Sequence, residues 1–217
     1  MARVEAVLLD AYETILHTDF APYADELPRL AGVPAAQFYA AYRRVAPLVT
    51  TGQHTRRQAF AETLKLCGIV PRPEVTRQLA SRARELLLAA GERYDDVLPF
   101  LRFAREHGIK VAIVSNCDEN TRALLAELQV TSLVSALALS CEVHAVKPNE
   151  KIYKVALHKL GVQPARALFV DDNAEFCAGA TRLGCAAIRI ARDRQPEPLP
   201  CLATVRTLAE LQPLLLD

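Results

Sequence analysis

Val7-Leu8-Leu9-Asp10-Ala11-Tyr12-Glu13-Thr14-Ile15-Leu16 carries an apolar run straight into an aspartate, where the strand-like character stops. A short unbroken apolar run fits a strand buried on both faces of a sheet. The spacing therefore predicts a first strand over residues 4–9, with the carboxylate of Asp10 at its end. Outward from this stretch the chain has two textures. Between about Phe20 and Ala90 the apolar period is helical, in FAPYADELPRLAG, PAAQFYAAYRRVAPLV, TRRQAFAETLKLCG and PEVTRQLASRARELLLAAG. Gly32, Gly52, Gly68 and Gly91 punctuate these segments, and Pro34 and Pro73 stand where helices begin. Beyond them, helices predicted over residues 97–106, 119–127, 150–160 and 174–183 alternate with strands over 110–114, 137–139, 167–170 and 186–190. A closing helix is expected near 205–214. Such alternation requires a parallel sheet covered on both faces. The fold class is α/β, a Rossmann-like sheet built from residues 1–15 and 91–217, with an α-helical domain, residues 16–90, inserted after the first strand.

Composition narrows the function classes. The net charge is +1, with basic and acidic residues mixed along the chain, so no electrostatic footprint for nucleic acid exists. No apolar run approaches the roughly 18–20 residues of a membrane span, and MARVEAVLLD lacks a signal-peptide pattern. A cytoplasmic protein with a small-molecule substrate, and neither nucleic acid nor membrane as partner, is expected. Cys67, Cys117, Cys141, Cys177, Cys185 and Cys201 fall singly, without C-x-x-C or zinc-finger spacing, and are expected to be reduced core thiols. Cys117 stands apart because its loop also carries site candidates.

In open parallel sheets ligands bind beyond the carboxyl ends of the strands. Here the first strand ends on Asp10, IKVAIV on Ser115-Asn116, and ALFV on Asp171-Asp172-Asn173. Lys147 follows the third strand, in AVKPNEKIY. Taken singly, a strand-ending Asp caps the next helix and a loop lysine is solvated. Taken together, four strand ends that deliver reactive groups to one edge are not explained by capping.

The ordered set D-A-Y-x-T-I, V-S-N, K-P-x-x-x-x-Y and V-D-D-N resembles the haloacid dehalogenase superfamily of hydrolases, and spans residues 10–172. The resemblance implies that Asp10 is a nucleophile forming a covalent aspartyl intermediate. Lys147 would neutralise charge on Asp10 and substrate. Ser115 and nearby backbone N–H groups would hold a phosphoryl oxygen or carboxylate, with Asn116 also at the substrate. Asp10, Asp172 and the Tyr12 carbonyl would hold Mg²⁺, supported by Asp171. Thr14 would pin the loop after the nucleophile by hydrogen bonding, and the helical insertion would be a cap.

Two positions depart from the family's patterns in opposite directions. Phosphatases of the family carry a second Asp where this chain has Tyr12, and Asp-Ala-Tyr is similar to the two-carbon-acid dehalogenases. Those enzymes work without metal and replace the fourth-motif acids, whereas Asp171 and Asp172 are kept here. Carboxylates beside Asp10 repel it and an acidic substrate unless a cation offsets them. That argument outweighs Tyr12, so a Mg²⁺-dependent phosphatase of a small phosphorylated metabolite is expected, with Tyr12 as one source of the leaving-group proton. The alternatives are a metal-free 2-haloacid dehalogenase and a binding protein that keeps the scaffold without turnover. Arg43 and Arg44, on the second inserted helix, are candidates for a substrate carboxylate or halide, or else form a solvated face. Asn173 suits either chemistry. His17 is placed at the entrance or the surface, and Tyr153 in the packing. Neither substrate identity nor oligomeric state is legible.

Overall fold

Short apolar runs that are buried on both faces have to pair in parallel, because the connection between them is a helix rather than a turn. The computed structural model describes residues 3–192 and 203–216. Among these, one sheet contains β1 (Ala6–Leu9), β4 (Lys110–Ser115), β5 (Ala136–Leu139), β6 (Ala167–Asp171), β7 (Ala186–Ile190) and β8 (Thr204–Val205), while β2 (Leu16–Thr18) and β3 (Gly91–Arg93) form a separate ribbon. The sheet order is β5-β4-β1-β6-β7-β8, every pairing parallel. The chain leaves β1, builds one side of the sheet, then returns to build the other. The switch point is therefore β1, between β4 and β6, and the crevice beyond it is where ligands bind in such sheets.

Strand alternation sends β1 into two cores. Val7 and Leu9 pack with Val97, Phe100 and Leu101 of α5 (Val97–Glu106) and with Leu124 of α6 (Thr121–Glu127). Ala6 and Leu8 face the other way, towards Ile152 and Tyr153 of α8 (Glu150–Leu160) and Cys177 of α9 (Ala174–Arg182). The expected helices on both faces are thus present, with ends within two residues of the predicted ones.

Between β2 and β3 lie α1 (Ala21–Ala31), α2 (Ala35–Thr50), α3 (Arg56–Leu66) and α4 (Pro73–Ala90). Helix α3 opens on a capping box, Thr55 with Gln58. The apolar faces of the four helices, through Leu27, Phe38, Phe60, Leu64 and Leu79, join the same buried cluster as Ile15, Leu16 and Leu9. At Gly52, φ is +70° and an added Cβ would lie 1.8 Å from the Cys141 carbonyl oxygen. The loop between α2 and α3 therefore seats directly on α7 (Ser140–Val143), the short helix after β5.

Three elements differ from expectation. The ribbon β2/β3 has only three residues per strand, antiparallel from Leu16↔Arg93 to Thr18↔Gly91, too short to show a period. Helix α7 is a single turn and equally silent in the sequence. The closing helix expected near 205–214 is instead β8, a 3₁₀ turn at Leu208–Leu211 and α10 (Gln212–Leu216). Val205 pairs with Ile190, and Thr207 caps with Glu210, so the helical turn starts only after the sheet edge is complete. Cys201 lies outside the described residues. Among the described residues no helix is long and apolar enough to cross a membrane.

Candidate active site

Strands β4, β1 and β6 are neighbours in parallel register, so the residues that follow them meet at one rim. Lys147 Nζ lies 2.6 Å from Asp10 Oδ1 and 2.6 Å from Asp171 Oδ2, and all three side chains are buried. The ammonium also faces the rings of Phe176, at 5.0 Å, and Phe169, at 5.8 Å. Burial pulls Lys147 down, but Asp10 and Asp171 outweigh it and hold the ammonium above its ordinary range. Burial, then the charge of Asp10, pushes the Asp171 carboxyl up to about 8. The same two causes raise half-buried Asp172.

Asp10, Asp171 and Asp172 each offer an oxygen within 4.8 Å of the others. Fully ionised, three carboxylates against one ammonium would carry excess negative charge in a poorly solvated place. Asp171 and Asp172, both raised, relieve it by holding protons, and a cation would relieve it in their stead. These are hard oxygen donors at a spacing a divalent cation bridges, and they fit Mg²⁺ by donor chemistry. Asp171 has both oxygens engaged, by Lys147 and by the Asn173 N–H at 2.8 Å. Asp172 is the more open acid, as a ligand requires.

Around this centre the remaining candidates divide. Asn116 clamps the Lys147 backbone at both ends, accepting from its N–H at 2.7 Å and donating to its carbonyl at 3.1 Å. Its amide thus positions Lys147 rather than reaching for substrate. Among the described residues Ser115 Oγ is buried with no hydrogen-bond partner. The Thr14 hydroxyl is likewise unpartnered, so it does not pin the loop. Its carbonyl does, accepting from Arg192 Nη2 at 2.6 Å and Nε at 3.0 Å. The Asn173 side chain is committed to capping α9 through the Glu175 N–H, at 2.8 Å, which removes its amide oxygen from substrate binding. The Tyr12 phenol lies 2.9 Å from Thr121 Oγ1, and burial pushes it above the ordinary tyrosine range. That makes it a poorer proton donor than a free phenol, against the expectation for it. Tyr153 is fully buried, with its hydroxyl donating to the Phe176 carbonyl at 2.9 Å, and serves packing.

Beyond Asn116 an open cleft of about 530 Å³ lies between the sheet edge and the inserted helices. Tyr12, Phe20, Tyr42, Arg43, Arg56 and Cys117 are among its walls. Arg43 borders the cleft, whereas exposed Arg44 does not. His17 is exposed, with Nδ1 3.1 Å from Glu13, beside a smaller hollow that Asp172 also lines. Sequence reasoning missed Arg56 and Asp118. Arg56 Nη2 ion-pairs with Asp118, and its N–H donates to Glu119 at 2.7 Å, tying the start of α3 to the loop after β4. The capping box T-x-x-Q signalled where Arg56 sits, but nothing local signalled its partner.

Comparison with known proteins agrees with this geometry. The sequence model described as haloacid dehalogenase-like hydrolase matches residues 4–184. A phosphatase of Mycobacterium tuberculosis is 26% identical over 199 residues, covering 88% of this chain and 89% of that protein. An (S)-2-haloacid dehalogenase of Burkholderia cepacia is 30% identical over 162 residues, 73% of this chain and 68% of its own. Among solved structures, a HAD phosphatase from Thermococcus onnurineus superposes with a TM-score of 0.71 at 25% identity, covering 98% of each chain. Relatives of both chemistries thus match over most of the chain, and the chain belongs to the haloacid dehalogenase-like hydrolases.

Proposed function

We propose that the chain is a Mg²⁺-dependent phosphatase of small phosphorylated metabolites, with residues 16–90 acting as a cap over a core made of residues 1–15 and 91–217. The observation that carries this reading is the cluster of three acidic side chains, Asp10, Asp171 and Asp172, gathered around a single ammonium. Asp10 and Asp172, with the Tyr12 carbonyl as the family resemblance implies, would hold the ion. Bound there, Mg²⁺ supplies the positive charge that lets an anionic phosphoryl group approach an anionic nucleophile.

Asp10 attacks phosphorus through Oδ2, since Lys147 occupies Oδ1 and among the described residues nothing donates to the other oxygen. Lys147, fixed by Asn116, holds the nucleophile in its orientation. The Ser115 hydroxyl turns to a phosphoryl oxygen. Asp171 positions Lys147, and water then hydrolyses the aspartyl phosphate. Tyr12 contributes a wall rather than a proton, so substrates with good leaving groups are favoured.

The Asp-Ala-Tyr sequence and Arg43 at the cleft support the second reading, metal-free hydrolysis of a 2-haloacid. A panel of phosphomonoesters and 2-haloacids, assayed with Mg²⁺ and with chelator, separates the two. Phosphoester turnover that needs Mg²⁺ is expected. Haloacid turnover undiminished by chelator, without phosphoester turnover, would overturn the proposal.

A further inference from the structure

Strands β4 and β5 run side by side, with Ser115 paired to Leu139. Each chain continues two residues past that pair, one to Cys117 and the other to Cys141. Ser140 locks the two ends together. Its hydroxyl accepts from the Cys117 N–H at 2.9 Å and donates to the Thr50 carbonyl, in the inserted helices, at 2.7 Å. The strand register and the Ser140 tie bring Cys117 and Cys141, both free thiols, to neighbouring positions. Cys117 is buried in the wall of the cleft, and Cys141 is half-buried behind it.

We propose that Cys117 and Cys141 form a reversible disulfide when a peroxide oxidises them, and that this bridge switches off the neighbouring site. The thiolate of Cys141 attacks one peroxide oxygen, the O–O bond breaks, and the departing hydroxide leaves as water after taking a proton. Cys141 is then a sulfenic acid. The Cys117 sulfur attacks the Cys141 sulfur, the S–O bond breaks, and the second hydroxide leaves as water with the Cys117 proton. Two thiols and one hydrogen peroxide give one disulfide and two waters, the sulfurs oxidised and the peroxide oxygens reduced.

The environments of the thiols support this order of events. The neighbouring Cys117 thiol lowers Cys141, while Cys141 and burial raise Cys117. Burial pushes Cys177 up to about 12 and Cys185 up to about 11, and raises Cys67 as well. Among the described residues Cys141 is therefore the thiol inclined to react, with a resolving partner in place.

The consequence follows from what the two cysteines adjoin. A disulfide fixes its sulfurs about 2.05 Å apart, closer than two separate thiols approach, so the bridge would pull the two loops onto one covalent geometry. On one side Asn116 holds the Lys147 backbone and Asp118 holds Arg56. On the other, the Cys141 carbonyl abuts Gly52. Closing the bridge thus strains the support of Lys147 and the seat of the inserted helices. The loss of turnover rests on the proposed roles of Asp10 and Lys147; the bridge itself does not.

The test treats the purified full chain with hydrogen peroxide, blocks remaining thiols and maps peptides without reduction. A Cys117–Cys141 cross-link that dithiothreitol reverses is expected, with amide exchange at Lys147 about tenfold faster in the oxidised form. Turnover of p-nitrophenyl phosphate with Mg²⁺ should fall about tenfold on oxidation, recover on reduction, and be insensitive to peroxide in Cys141→Ser. Sulfinic acid at Cys141 without a cross-link, a cross-link to another cysteine, or a bridged chain with unchanged exchange at Lys147 and unchanged turnover would each overturn the proposal. If the reduced chain hydrolyses no phosphate ester, the phosphatase reading fails, and mapping and exchange still decide the bridge.

Discussion

Lys147 holds two carboxylates at once, so the charge on each member of the cluster depends on the others. Asp171 titrates near 8 in the folded chain, against roughly 3.9 in an unfolded one. Between those values the folded chain keeps a proton that the unfolded chain has lost, so stability falls as pH rises from about 4 to about 8. Asp172 is shifted in the same sense, and Lys147, raised above its usual range, contributes no change in that window. Thermal midpoints measured in chelator from pH 5 to 8 should decline in the wild type and decline much less in Asp171→Asn. An equally steep decline in the variant would remove Asp171 as the cause. Asp10, Lys147, Asp171 and Asp172 were legible in the sequence because parallel strands deliver their terminal residues to one edge. Arg56, Asp118 and Arg192 were not, because each acts through a partner brought near only by tertiary packing, Asp118 for Arg56 and the Thr14 carbonyl for Arg192.

At the scale of elements, the inserted helices meet the sheet edge through a few close contacts rather than through a broad polar interface. Gly52 is the tightest of them, since any side chain there meets the Cys141 carbonyl and φ is in the left-handed region. Left-handed backbone alone costs a non-glycine residue about 1–2 kcal/mol, and the overlap adds to it. Gly52→Ala should therefore lower stability by at least that amount, read from urea unfolding, and should raise KM more than it lowers kcat. An unchanged KM would show that seating of the α2–α3 loop does not shape the cleft. The long helices and apolar strands were predictable because their periods repeat several times. The ribbon β2/β3 and the single turn of α7 were not, since three or four residues carry no period.

For the whole molecule, the proposed cation site would link folding and Mg²⁺ binding in one equilibrium. A cation that binds only the folded chain stabilises it by about 2.7 kcal/mol at a hundredfold excess over Kd. For a chain of this size that corresponds to roughly 5–10 °C in Tm. Mg²⁺ should raise Tm by that order at pH 8, and Asp172→Asn should abolish most of the rise. A rise of equal size in the variant would place the ion elsewhere. The sequence led to the expectation of a helical insertion after the first strand, but not that the apolar faces of these helices merge with the core of the sheet, because shared burial is a property of the packed chain.

The ribbon has a consequence of its own. Thr18 and Gly91 are cross-strand partners, so the segment between them leaves and re-enters at points about 4.5–5.5 Å apart. To the sheet, that entire segment is a loop already tied shut, and the entropy of closing a loop changes by only about 0.6 kcal/mol when its length doubles. By closure entropy alone its length is therefore almost free to vary, provided that whatever replaces it still covers Ile15 and Leu16 and still seats on Cys141 and Asp118. Under the proposed division into core and cap, bond-breaking apparatus and selectivity would be separable in heredity: one scaffold could exchange its lid, and with it its diet, without rebuilding the chemistry underneath.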